Sequence, residues 1–387
     1  QRRVVPILRN EVKLEEQAAQ KEIIEFTDEN DQTHQVGVID IPAFYIDFEA
    51  YRQGDKLYRS TTRDVKKLVD ELVADGVEGI VIDLRDNGGG SLQEANQLTG
   101  LFIEYGPTVQ IRSAESRVWR DGKRRRSPYY EGPLAVLINR LSASASEIFA
   151  GAIQDYGRGI IVGEQSFGKG TVQSLVPLQE GQLKITESKF YRISGDSTQH
   201  RGVVPDIDYP SLFDPEKIGE SALDNALAWD QIAPTRFNRY QNYDAILPKL
   251  TSLHDARAAN DPDYRFLQDQ VEMAQEARAI TALPLQQSGR LALRDEQAAL
   301  ALAIENKRRL AKGLAPLDTL DTDEEATEDA PIAATGDDAL PATSPEESAN
   351  DDEAIPDVLL LETGKILVDA ISLRPRDVVA SRVAPKP

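Results

Sequence analysis

The sequence predicts an α/β core with a β-rich subdomain, followed by a helical C-terminal region. Three observations predict it. Short, almost wholly apolar runs end at glycine turns, amphipathic stretches of helical period separate them, and the pattern changes farther along to strand-like alternation and then to helix-forming composition. In order, Gln35 to Ile41 reads as a strand. Thr61 to Asp75 follows as a helix, with Val65, Leu68, Val69, Leu72 and Val73 on one face and Thr61 or Thr62 as its cap. Gly79 to Leu84 has the look of a strand buried on both faces. Leu92 to Phe102 is the next helix, Leu134 to Ile138 the next strand, Ser144 to Tyr156 a third helix and Gly159 to Gly163 a third apolar strand. From Thr171 to Ile193 the chain alternates as β-structure. Beyond about residue 215, Glu220 to Trp229, Asp261 to Ala279 and Asp295 to Lys312 read as helices, and Pro356 to Leu373 as a terminal one.

Composition narrows the function. With no cysteine in 387 residues, a disulfide framework, a thiol nucleophile and a cysteine zinc site are excluded. No apolar run is long enough to span a membrane, and Gln1-Arg2-Arg3 leads into no signal-peptide pattern. The net charge of −21 is concentrated between Asp318 and Asp357, where fifteen acidic residues stand without a Lys or Arg. That segment should be disordered. The one basic cluster, Lys123-Arg124-Arg125-Arg126, follows an Asp121-Gly122 turn signal and reads as a solvated hairpin tip. Nucleic-acid binding is therefore disfavoured, because phosphate recognition needs clustered cations.

Three turns mark strand ends, the usual place for sites in α/β sheets: Asp83 to Gly90, Ser142 to Glu147, and Phe167 to Thr171. Ser144 opens a helix with Glu147 three residues on, a capping-box spacing. A cap is one reading. A nucleophile is the other, because a helix N-terminus presents unpaired N–H groups that can hold an oxyanion. Residue spacing alone does not choose among Ser142, Ser144 and Ser146. None of the three histidines, His34, His200 and His254, stands in such a turn, so the candidate base is Lys169, between two glycines. Burial can lower a lysine pKa by roughly 3–5 units. Gln173, four residues along an alternating strand, shares its face and can orient the amine without adding charge. A plain surface lysine is the rival. Gly163 to Lys169 also fits the opening of a phosphate-binding loop, but Gly170 stands where Ser or Thr is needed and a strand, not a helix, follows. The Gly88-Gly89-Gly90 run is better suited to donating an N–H to an oxyanion.

Taken together the three turns resemble those of the tail-specific (C-terminal processing) serine peptidases, in particular their periplasmic bacterial branch. The likeness extends through Asp40-Ile41-Pro42, Phe44-Tyr45, Gln154 to Gly157, Lys189-Phe190-Tyr191 and Gly202 to Asp206, and more weakly through Asp224 to Leu227 and Trp229-Asp230. The resemblance implies Ser144 as nucleophile, Lys169 as general base and Gln173 as its support. It implies oxyanion donors at Ala145 and at a glycine of the Gly89-Gly90 pair. Asp155 matches an aspartate implicated in that family, although its place near the end of the Ser144 helix points to a structural role. A crotonase-like, spiral α/β fold is implied, with residues 1–15 as the last strand of a truncated PDZ domain and its linker. The peptidase core would then span 16–212 and a helical domain 213–317; the acidic linker 318–355, read from its composition, has no counterpart in that resemblance, and a terminal helix and tail follow at 356–387. Also implied are a periplasmic location, no metal or cofactor, and loosely folded protein substrates with apolar C-termini. Cell-wall enzymes would be among the substrates, and a lipoprotein adaptor among the partners. The competing function is a catalytically silent, peptide-binding scaffold of the same fold.

Overall fold

A computed structural model describes residues 18–28, 31–115, 117–123, 127–240, 243–320 and 356–373. The calls on residues 1–15, on Arg124 to Arg126 and on most of the acidic segment lie outside the described residues. In chain order the elements are β1 (Gln20–Thr27), β2 (Thr33–Asp40), α1 (Phe48–Gln53), α2 (Thr61–Asp75), β3 (Ile80–Asp83), α3 (Leu92–Phe102), β4 (Gly106–Ser113), β5 (Val118–Lys123), β6 (Leu134–Ile138), α4 (Ala145–Asp155), β7 (Ile160–Gly163), β8 (Thr171–Pro177), β9 (Gln182–Tyr191), β10 (Ile207–Asp208), α5 (Leu247–Ala258), α6 (Pro262–Ala279), α7 (Gln287–Ala311) and α8 (Val358–Ser372). They divide into two compact units, residues 1–255 with 359–387, and residues 256–358.

The first unit contains two sheets. One has the order β1-β2-β3-β6-β7-β10, parallel from β2 onward, and the other is the antiparallel β5-β4-β9-β8. The apolar runs of β3, β6 and β7 are buried throughout, as both-face burial of a parallel sheet demands. Alternate residues serve different cores. Ile80, Ile82, Leu134, Val136, Ile138 and Ile161 meet α2, α3 and α4. Val81, Ala135, Leu137, Ile160 and Val162 meet Leu250 of α5 and Leu360, Ile366 and Leu367 of α8. The terminal helix thus belongs to the core of the first unit.

Several local expectations change. The residue capping α2 is Ser60, and Thr61 is its first helical residue, the Thr61 hydroxyl donating to the Ala43 carbonyl. Val73, assigned to the inner face of α2, is 53% exposed. Asp121-Gly122 lies inside β5, beside a register shift of β4 at Pro107, and is not a hairpin turn. Only Glu220–Ala222 of the expected helix Glu220 to Trp229 coils, as one 3₁₀ turn. Tertiary bonds override its helical propensity: Trp229 donates its indole N–H to Ser197 O, and Asp230 takes Tyr191, Lys189 and Arg112.

In the second unit α6 begins at Asp261, whose carboxylate caps the amides of Asp263 and Tyr264 ahead of Pro262 in the first turn. α7 starts eight residues before the expected Asp295. Arg308 joins the two helices, donating to Asp263 at 2.9 Å and to Glu305 at 2.7 Å.

Candidate active site

The three turns singled out in the sequence meet at the C-terminal ends of β3, β6 and β7. Asp86 and Asn139 exchange two hydrogen bonds, joining the turns that follow β3 and β6. Asn87 ties the next layer. Its carbonyl accepts from the Ala143 amide, its Nδ2 donates to Ile41 O, and its Oδ1 accepts from Gly89 N at 2.9 Å. The β7 turn is tied in where Phe167 N donates to Ser142 O.

Geometry separates the three serines. Ser142 is buried, and its hydroxyl donates to Leu84 O at 2.8 Å. Ser146 is buried as well, with its hydroxyl donating to Asn87 O at 2.9 Å. Ser144 is only partly covered and stands at φ 58°, a conformation rare for a non-glycine residue and characteristic of functional turns. It is the residue before the first turn of α4, where backbone N–H groups lack helical partners.

Gly89 presses directly on it. A Cβ added there would lie 2.8 Å from Ser144 Cβ and 3.0 Å from Ala145 N at a φ of +106°, so only glycine permits the approach. The Gly89 amide is already engaged by Asn87. Among the described residues, no protein acceptor takes the amides of exposed Gly90 or of Ala145. Backbone N–H groups without a protein acceptor are the kind that can stabilise a developing oxyanion.

Glu147 holds the site together, a role that sequence reading reduced to a cap. Fully buried, its carboxylate accepts from four donors. Oε2 takes Ser144 N at 2.7 Å and Lys169 N at 2.9 Å; Oε1 takes the Ser166 hydroxyl at 2.6 Å and Gly168 N at 2.7 Å. Sharing one oxygen places the main-chain nitrogens of Ser144 and Lys169 within about 6 Å of each other. Burial pushes the Glu147 carboxyl up to about 7, against the pull of those four hydrogen bonds. The Glu three residues after Ser144 was the only sequence signal for this hub.

A second brace lies behind the same loop. Gln199 Oε1 accepts from Gly170 N, its Nε2 donates to the Glu220 carboxylate, and Glu220 N donates to Phe167 O. His200 joins through its backbone, donating to Gly168 O. The other histidines pair elsewhere, His34 with Glu78 and His254 with Glu362.

Lys169 is half-buried. Burial, reinforced by the charge of Lys184, lowers its amine below the usual lysine value. Nζ donates to Gln173 Oε1 at 3.3 Å, and among the described residues no hydrogen bond joins it to the Ser144 hydroxyl. Gln173 is exposed on β8 and reaches Thr186 Oγ1 across the hairpin at 3.5 Å. Asp155 is apart from this group. It lies eleven residues along the chain from Ser144, about 16 Å at a helical rise. Its carboxylate is clamped by Arg192, at 2.5 Å to Nη2 and 3.2 Å to Nε.

Residues 35–209 match the model of peptidase family S41, and residues 213–372 match that of the C-terminal domain of tail specific protease. The chain is 40% identical over 339 residues to a tail-specific protease of Haemophilus influenzae, covering 84% of this chain and 46% of that protein. It is 41% identical over 155 residues to a carboxy-terminal-processing protease of Bartonella bacilliformis, covering 40% of this chain and 36% of the relative. Among solved structures, a photosystem II D1 C-terminal processing protease aligns over 51% of this chain and 48% of its own, with 27% identity and a TM-score of 0.40. The chain therefore spans less than half the length of these curated relatives. With an S41 peptidase region and a tail-specific C-terminal region following one another along its length, this chain belongs to the tail-specific, C-terminal processing serine peptidases of family S41.

Proposed function

We propose that the chain carries the Ser-Lys centre of an endopeptidase acting on loosely folded proteins with apolar C-terminal residues. The observation that supports this most is the shared Glu147 oxygen, which keeps the backbone of Ser144 beside that of a partly desolvated Lys169. In the reaction the neutral Lys169 amine takes the Ser144 proton as Oγ bonds to the substrate carbonyl carbon. The Gly90 and Ala145 amides stabilise the resulting oxyanion. The lysine then protonates the departing amine as the C–N bond breaks, and water hydrolyses the acyl-enzyme. Gln173 holds the amine through a neutral oxygen, which orients it without fixing it as an ammonium ion as a carboxylate would.

A periplasmic location is part of the proposal; similarity to a bacterial tail-specific protease supports it, and cell fractionation tests it. Envelope and cell-wall proteins are the proposed substrates, with a lipoprotein adaptor as a partner. No metal or cofactor enters the reaction as proposed.

Digestion of β-casein tests the chemistry. Ser144→Ala removes the nucleophile, and Lys169→Arg keeps the positive charge but abolishes the base. Each should lower cleavage on the order of a thousandfold or more while leaving the protein folded. Equal cleavage by both variants and the unaltered chain would refute Ser-Lys catalysis, and no cleavage by any of the three would leave the silent scaffold as the better account.

A further inference from the structure

The two sheets end in four edges, and three of them are protected against pairing with another chain. β1 carries Lys21, Glu22 and Glu25, β5 carries Arg120 and Asp121, and β10 is only two residues long. Charge and brevity are the usual means by which proteins keep sheet edges from recruiting strands. The fourth edge, β8, reads Thr-Val-Gln-Ser-Leu-Val-Pro, seven residues without a charge. It pairs with β9 on one side and with no described strand on the other. Alternate N–H and C=O groups along it therefore point away from the sheet.

Its side chains have the same character. Leu175 is 64% exposed, and Val176, Leu178, Leu183 and Ile185 of the same hairpin are exposed too. Five large apolar side chains in solvent on one hairpin mark an interaction surface more readily than scattered single exposures would. The position is equally specific. β8 starts two residues after Lys169 and includes Gln173, which bonds the lysine amine.

We propose that β8 is the docking strand for substrate: an extended, apolar polypeptide adds to its free edge as a fifth strand of the β5-β4-β9-β8 sheet. Main-chain hydrogen bonds to β8 hold the substrate whatever its sequence, and contact with Leu175 and Val176 favours apolar side chains. A chain laid along this edge runs past Gln173 to the amine of Lys169. Folded proteins are excluded because their strands are already paired. This deepens the peptidase reading above and rests on it for the identity of the ligand as substrate.

Binding to the Ser144→Ala chain tests the proposal without cleavage. The probes are a short synthetic peptide of Val, Ala and Leu with a free C-terminus, and a series in which successive backbone amides are N-methylated. Methylation at every second position should weaken binding about tenfold, because alternate amides would pair with β8. Leu175→Lys should weaken the parent peptide by about as much, whereas Ile23→Lys on the β1 edge should not. Affinity indifferent to N-methylation, or changed less than about twofold by Leu175→Lys, overturns the assignment. Should Leu175→Lys fail to fold, the methylation series decides alone. A chain that binds in the alternating pattern yet never cuts casein refutes catalysis and keeps the docking strand; cleavage without the pattern does the reverse.

Discussion

A lysine accepts a proton only in its neutral form, so the rate of a Ser-Lys centre follows the titration of one amine. Burial is the larger influence on Lys169 and the positive charge of Lys184 the next, and both lower its pKa from the usual 10.5. The sign follows. Below the folded pKa the amine is charged and idle; above it the base is present, so activity rises with pH along a limb that sits lower than an ordinary lysine would set. Lys184 faces Leu175 across the hairpin and is exposed, so replacing it should leave the fold intact. Lys184→Gln should move the rising limb of kcat/KM to higher pH, measured as a pH profile on casein. A limb that stays put, or moves to lower pH, would show that Lys184 does not tune the base. At this scale much was legible in the sequence: a serine at a helix start, and a lysine between glycines followed by a glutamine on the same strand face. The choice among Ser142, Ser144 and Ser146 was not, because it depends on the carbonyls of Leu84 and Asn87, which only the fold brings to the two flanking hydroxyls.

Between elements, the site depends on how α4 is held at both ends. Its N-terminus is fixed to the base loop through Glu147, and its C-terminus to the end of β9 through Asp155 and Arg192. Both partners of that second clamp are largely covered, Asp155 at 9% and Arg192 at 17% side-chain exposure, so breaking it leaves a poorly solvated guanidinium. Asp155→Asn should cost about 2 kcal/mol, read as a lower urea midpoint, while kcat on casein for the folded protein stays near that of the unaltered chain. A fall in kcat of a hundredfold or more in fully folded protein would instead return Asp155 to the chemistry. Elements with a strong period were readable, and α3 and β6 occupy the residues expected of them. β1 escaped notice because its charges mask the alternation, and β4 because it opens on Gly-Pro. The segment after Glu220 misled because propensity says nothing of Ser197, Lys189 and Arg112, which hold it uncoiled.

Across the first unit, the parallel sheet needs a layer on each face. The run of apolar residues in β3, β6 and β7 announced that need in the sequence, but it could not say which helices would meet it. One face is covered by α2, α3 and α4, which are interleaved with the strands, whereas the other takes α8, nearly 150 residues beyond β10 in the chain. There Leu367 is wholly buried against Gly79, where an added Cβ would lie 2.9 Å from its Cδ2, and Glu362 pairs with buried His254 at 3.0 Å. Leu367→Ala would remove side-chain volume from a close-packed site and should cost about 2–5 kcal/mol. Urea unfolding followed by a probe in the sheet distinguishes two cases. If α8 is integral, the midpoint falls while the denaturant slope stays the same, since equal surface is exposed in one cooperative step. If α8 only rests on the sheet, it peels away first and the sheet keeps its midpoint, in which case the terminal helix is an accessory and the second core stands without it.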